Sequence, residues 1–354
     1  MEIELYLDDI EGRISAEQEE ALWAQWGRFL AQGLDDPFAF FQPRRVPQPS
    51  RIEWPAVTLN STLGDDEAAF AAMTMQQLRQ ASNLLASDSG TIPWVRCNYG
   101  TGILPSILGT SIFVMDELME TLPTAVPLEG GERGVRQCLE RGAPNLAAGQ
   151  GSRVYEMGWR LATLLASRPK IAKYVRLVHP DFQGPLDVAE VLWGSDIFLA
   201  FYEEPQTVHA LLSLITDTYC RAMDAWLPIV ASLPASDWAC HWGFLHRGLV
   251  CLRLDSCMNI SQEFYREFSM PYDAKIFARY GGFLHSCGKV DHIFPAAAEI
   301  DGVYGFNLSQ PHYNDMEAVY AATIDRGHRI FGLPSEAMQA MRSAHRPTHG
   351  LIMA

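Results

Sequence analysis

The chain has 354 residues, 48% of them hydrophobic, with 27 basic and 42 acidic side chains and a formal net charge of −15. That is too apolar for a disordered protein. It is also too acidic, at a pI near 5.1, for a binder of duplex nucleic acid, which needs clustered Lys and Arg; no run is richer than Arg44-Arg45. No stretch reaches the roughly 18 uninterrupted apolar residues of a membrane helix, so neither nucleic acid nor membrane is expected as a partner.

The acidic start, Met1-Glu2-Ile3-Glu4, lacks the basic and apolar regions of a secretory signal. Seven cysteines (Cys97, Cys138, Cys220, Cys240, Cys251, Cys257 and Cys287) form no C-x-x-C pair, which suits reduced thiols and predicts a cytoplasmic protein. Ser15 to Gln18 reads S-x-x-Q, a capping box, and Leu22, Trp26, Phe29 and Leu30 then recur at helical spacing before Gly33. From Pro37 to Pro55 the prolines forbid a regular element, so this stretch is read as an arm packed on the domain. A second helical pattern runs from Asp65 to Leu85, and the first strand is predicted at Ile92 to Cys97. Residues 1–90 therefore read as a helical extension packed on residues 91–354.

Beyond it, short apolar runs alternate with helical stretches: Ala172–Val178, Trp238–Trp242, Leu249–Leu254, Gly282–Ser286, Gly302–Leu308, Arg329–Leu333 and Gly350–Met353. Among the helices, one begins at Glu204-Pro205 and places Val208, Leu211, Leu212, Ile215 and Tyr219 on one face. Strand then helix, repeated, predicts an α/β fold with a parallel sheet, and with the run at Ile92 there are enough strands for a (β/α)8 TIM-type barrel. The interval from Trp238 to Leu254 is too short for two strands and a crossover helix, so the barrel is expected to be distorted there.

The segment His285-Ser286-Cys287-Gly288 carries the sharpest chemical signal. Residues two apart on a strand project to the same side, so His285 and Cys287 would offer imidazole and thiolate together, the donors zinc prefers, at the end of a barrel strand. Arg253, Asp255 and Cys257 alternate in the same way; Arg253 and Asp255 could act on a substrate or simply pair as ions. Asn98 and Tyr99, ahead of Gly100-Thr101-Gly102, together with Gln183 and Asn307, are candidates to line the same mouth and bind a small-molecule substrate, with Asp255 and Cys287 as the catalytic pair.

Asn98 through Leu104, His179-Pro180-Asp181-Phe182-Gln183-Gly184-Pro185 with Gly194, Ile260 through Tyr272, and His285 through Gly288 together resemble the uroporphyrinogen decarboxylase-like superfamily, whose members include cobalamin-dependent methyltransferases. The resemblance spans most of Trp94 to Leu333 and implies a distorted (β/α)8 barrel with its cleft at the strands' C-terminal ends. In the methyltransferase branch it implies zinc held by His285, Cys287 and a further cysteine near the C-terminus, with a corrinoid as methyl carrier and a corrinoid protein as partner. This chain has no cysteine after Cys287. Of the substitutes His241, Cys240, Asp255 and Cys257, His241 is the favoured third ligand. The decarboxylase branch implies a metal-free reaction on uroporphyrinogen or a related carboxylate, with an arginine-rich loop and an acid for which Arg44-Arg45 and Asp116 are the nearest counterparts. A third reading is an inert binder of a corrinoid or tetrapyrrole. A corrinoid-linked, zinc-dependent methyltransferase is the leading expectation.

Overall fold

The computed structural model describes residues 3–354. Three helices open the chain: α1 (Ile3–Arg13), α2 (Ala16–Gln32) and α3 (Glu67–Ala86). The periodicity marks α2 and α3, but the capping box is not made. Ser15 occupies the N-cap position without a side-chain bond, and Gln18 instead accepts from Gln48 at 2.9 Å. At α3 the cap is real, because the Asp66 carboxylate accepts from the Ala69 amide at 2.8 Å. The proline-rich arm is pinned by Arg45, which grips Glu19 of α2 through two bonds of 2.7 and 2.9 Å and donates to the carbonyls of Ser89 and Thr91.

The strands that follow are β1 (Trp94–Val95), β2 (Ile112–Phe113), β3 (Thr124–Ala125), β4 (Arg176–Leu177), β5 (Ala239–His241), β6 (Phe244–His246), β7 (Val250–Arg253), β8 (Gly282–Ser286), β9 (Val303–Leu308) and β10 (Arg329–Ile330). β1 pairs with β4 in parallel, and β7, β8, β9 and β10 form a parallel sheet in sequence order. β2–β3 and β5–β6 are antiparallel hairpins. Helices such as α4 (Pro185–Trp193), α5 (Pro205–Ala231) and α6 (Met270–Tyr280) fill the crossovers. The protein is thus mixed α/β with parallel sheets; its strand pairing falls into separate groups and does not by itself close a ring.

Three predicted strands differ. Ala172 to Tyr174 belong to a helix, Pro169–Tyr174, and only Arg176–Leu177 is strand. The reason lies far away in the chain: Glu11 of α1 accepts from the amides of Lys170 and Ile171, capping a helical turn that local sequence does not advertise. Near the other end of the chain, Ile352 and Met353 make only single bridges, to Ile330 and Phe41. The interval from Trp238 to Leu254 resolves as a hairpin followed by β7. Its two-residue turn, Trp242-Gly243, has φ of +48° and +82°, the left-handed pair that matches strand twist.

Alternation sets the two sides of the central sheet. Leu252, Leu284 and Phe306 pack with the helices in the main core, whereas Cys251, Phe283 and Phe331 join Trp26 and Phe29 of α2 and Cys240 and Leu245 of the hairpin in a second apolar cluster. Gly282 permits the start of this pairing, since a Cβ there would stand 1.9 Å from the Val250 carbonyl oxygen. Two positions further along the strands, the second side turns polar.

Candidate functional site

Parallel register aligns the polar positions in rows. Arg253 pairs with His285, and His285 with Asn307. One step beyond, past the strand ends, stand Asp255, Cys287 and Ser309. Gly288, at φ +77°, then turns the chain away. Its amide donates to Gln310 at 2.6 Å.

The second row gathers three donors: one atom each of Asp255, His285 and Cys287 lies within 4.8 Å of the others. Cys287 Sγ is 3.5 Å from His285 Nε2, which is 3.9 Å from Asp255 Oδ1. A tetrahedral zinc site with bonds of about 2.0–2.3 Å separates its donors by about 3.3–3.8 Å, so these spacings need little adjustment. The imidazole is oriented for it. Asn307 Nδ2 donates to the Phe331 carbonyl at 2.7 Å, which leaves Asn307 Oδ1 to accept from His285 Nδ1–H at 2.6 Å. The Nε2 lone pair is thereby turned toward Cys287 and Asp255.

Electrostatics keeps the trio neutral at imidazole and thiol. Burial lowers the pKa of His285 against the opposing pull of Asp255 and Asn307. Burial pushes the Cys287 thiol up to about 11, with Asp255 adding to the rise and the Ser309 hydroxyl, 3.4 Å from Sγ, opposing it. A cation is what would favour the thiolate. Beneath lies Asp187, in the first turn of α4, whose carboxyl accepts from the amides of Asp255 (3.1 Å) and Ser256 (2.8 Å). Burial, then the charge of Asp255, raises its pKa well above the ordinary range. Asp187 therefore splints the turn after β7 without adding charge.

The structure places the other candidates unevenly. Asn98, Gln183 and Arg253 meet in one network around Asp181: Gln183 Nε2 donates to Oδ1 at 2.6 Å and Arg253 Nε lies 2.8 Å from that atom. Arg96 reaches Oδ2 at 3.5 Å and donates to Asn98 at 2.9 Å. Arg253 thus pairs with Asp181 and not with Asp255, which sits beyond the strand end in a 3-10 turn, Asp255–Asn259. Tyr99 is fully buried in the core with its hydroxyl unpartnered, outside the network. Asn307 acts behind His285 through its side-chain amide.

His241 stands apart from the trio. It ends β5 in a hairpin that folds back, so it does not sit at the end of a parallel strand. Its Nδ1 is 2.7 Å from His246 Nε2, its ring is 4.2 Å from that of His179, and its Nε2 is buried without a partner. Asp255, and not the favoured His241, is the donor that the fold gathers with His285 and Cys287. Cys240 and Cys257 are buried outside the trio as well, Cys257 with Sγ 3.8 Å from the Ser269 hydroxyl. Trp242, at the hairpin tip, reaches the site where His241 does not; its ring centroid is 4.7 Å from that of His285. Arg96, Asp187 and Trp242 were given no role from sequence, since each is recruited by a partner distant in the chain. Asp181 stands within the quoted segment His179 to Pro185 without a role of its own, and Asp187 left a local trace as an acid in the first turn of a helix that begins with proline.

No family model matches the chain, and no curated protein matches it in sequence. Among solved structures it is similar to a methyltransferase from Methanosarcina mazei, with a TM-score of 0.58 and 16% sequence identity over 93% of this chain and 91% of that one. Nearly the whole length of both chains takes part, so the likeness is one of fold across the complete α/β body and not of a single motif.

Proposed function

We propose that this protein is a zinc-dependent methyltransferase of the uroporphyrinogen decarboxylase-like type, moving a methyl group between a corrinoid and a thiol. In this reading residues 91–354 form a distorted (β/α)8 barrel, residues 1–90 are an extension packed on it, and the free thiols suit the cytoplasm. The observation that carries it is the trio Asp255, His285 and Cys287 with the imidazole proton fixed on Nδ1. The fold likeness to a methyltransferase supports the reaction class.

Bound at the trio, zinc would supply Lewis acidity that lowers the pKa of an incoming thiol. The chain's own part is to offer His285 Nε2 unprotonated, to give up the Cys287 proton past Asp255, which is 43% exposed at the rim, and to leave a fourth position open. Asn98, Gln183 and Arg253 would hold the substrate beside it, and a corrinoid protein would deliver or take the methyl group. A tetrapyrrole decarboxylase would need several free arginines in the N-terminal arm. Of the counterparts, Arg45 is sealed against Glu19, Arg44 is exposed and pairs with Asp88, and Asp116 is exposed, capping the Leu118 amide.

Metal analysis of the purified protein beside His285→Ala tests the reading. We expect about one zinc per chain in the wild type and a loss of at least about tenfold in affinity in the variant. Equal, negligible zinc in both would end it. Transfer of a methyl group from methylcobalamin to a thiol separates an enzyme from an inert corrinoid binder.

A further inference from the structure

Beside the trio lie two guanidinium groups that share one directly paired carboxylate. Arg96 directly follows β1 and Arg253 ends β7, and both face the single carboxylate of Asp181. Their side chains are 12% and 3% exposed. Arg96 spends Nε on Asn98, and Arg253 spends Nη1 on the Cys251 carbonyl at 3.1 Å. The Nη2 of neither makes a hydrogen bond to the described residues. His179 and His241 are kept uncharged, chiefly by burial and in part by Arg253 itself. Asp255 acts on Arg253 through its charge but bonds neither arginine and lies with the trio. Two buried guanidinium groups sharing one directly paired carboxylate, with an Nη2 to spare on each, suit a further anion.

Trp242 gives this place an apolar wall. Its ring lies 5.3 Å from the Arg253 guanidinium and 4.7 Å from the His285 ring, so it spans the distance from the cations to the trio. It is held there in a left-handed conformation that bulky residues rarely adopt, and the turn is anchored by the Gly243 carbonyl accepting from the Ile92 amide at 2.9 Å.

We propose that Arg96, Arg253 and Trp242 form a subsite for a small organic acid with a planar, apolar body. Its carboxylate is taken by the two free Nη2 groups, and its body lies along Trp242 so that the far end meets Asp255, His285 and Cys287. The inference rests on the reading above that this trio is the reacting centre.

Calorimetric titration with benzoate, benzamide and acetate, on zinc-loaded and zinc-free protein, tests it. We expect benzoate to bind at least about tenfold more tightly than neutral benzamide, as charge-assisted pairing requires, and more tightly than acetate. Arg96→Gln should weaken benzoate by a similar factor with zinc uptake unchanged, and Trp242→Leu should bring benzoate down to the level of acetate. Benzamide binding as well as benzoate, no benzoate binding at millimolar concentration, or a folded Arg96→Gln variant with unchanged affinity would each overturn the subsite. Should Arg96→Gln fail to fold, the wild-type comparison of benzoate with benzamide decides. Zinc uptake without acid binding rejects the subsite alone; acid binding without zinc uptake rejects the metal reading alone.

Discussion

Asn307 has the most exposed role of any single residue, because it touches no ligand and yet sets the proton position of His285. Removing its amide in Asn307→Ala leaves Nδ1 without a fixed acceptor and frees the ring to present either nitrogen. We expect zinc affinity to fall about 10–100-fold, the usual effect of losing such an outer partner, with the three donors intact. Competition with a chromogenic chelator measures it, and unchanged affinity would mean the tautomer is set elsewhere. At this scale the sequence is half legible. His285 and Cys287 can be read because strand alternation needs only local pattern. Asp255 was one of several candidates for the third place and could not be preferred over His241, since the choice turns on which strand neighbours which. Asp181 and Asp187 meet Arg253 and the Asp255 amide, 72 and 68 positions away in the chain, and no local pattern announces either contact.

Between the short helix Gln262–Phe264 and α6 the chain widens into a π turn, Tyr265–Ser269, an irregularity that often marks functional segments. Within it the Ser269 hydroxyl donates to Asp273 at 2.9 Å, while the other Asp273 oxygen and the Tyr265 hydroxyl lie buried without partners. Burial raises the pKa of Asp273 from 3.8 to about 7. The folded state therefore holds a proton that the unfolded chain has already lost. This group penalises folding progressively as pH rises from about 4, and the penalty levels off above about 7. We expect Asp273→Asn to gain stability over the wild type along the same interval, by up to about 4 kcal/mol, as read by urea unfolding from pH 4.5 to 8. A pH-independent difference would contradict it. Elements are more legible than their ends: α2, α3, α5 and β7 to β9 follow from periodicity, whereas α1 was missed and the helix at Pro169 depends on a cap supplied by Glu11. The β5–β6 hairpin was visible only as a spacing that could not hold a crossover.

Across the whole molecule, the proline-rich arm is fastened to α2 through a charge pair out of reach of water, and the same arginine reaches on to the Thr91 carbonyl ahead of β1. Arg45 and Glu19 have side chains 1% and 0% exposed. Stripping one partner leaves the other buried and uncompensated, so Arg45→Met should cost about 3–5 kcal/mol, and Glu19→Leu added to it should recover most of that. Zinc uptake should be untouched in both, which chemical denaturation and metal analysis check together; a loss of uptake would give the arm a role at the site. Alternating strands and helices made the α/β class readable, but ring closure did not follow from it, because closure depends on pairings that no local pattern encodes. The proton lock on His285 has a further consequence for synthesis. All three donors have been added to the chain by residue 287, yet Asn307 follows 20 residues later and the carbonyl of Phe331 another 24 after that. A nascent chain arrested between those points would own every donor and still have an imidazole free to present either nitrogen, so a metal taken up at the trio as proposed would meet its oriented ligand only once the last strand of the sheet has been made.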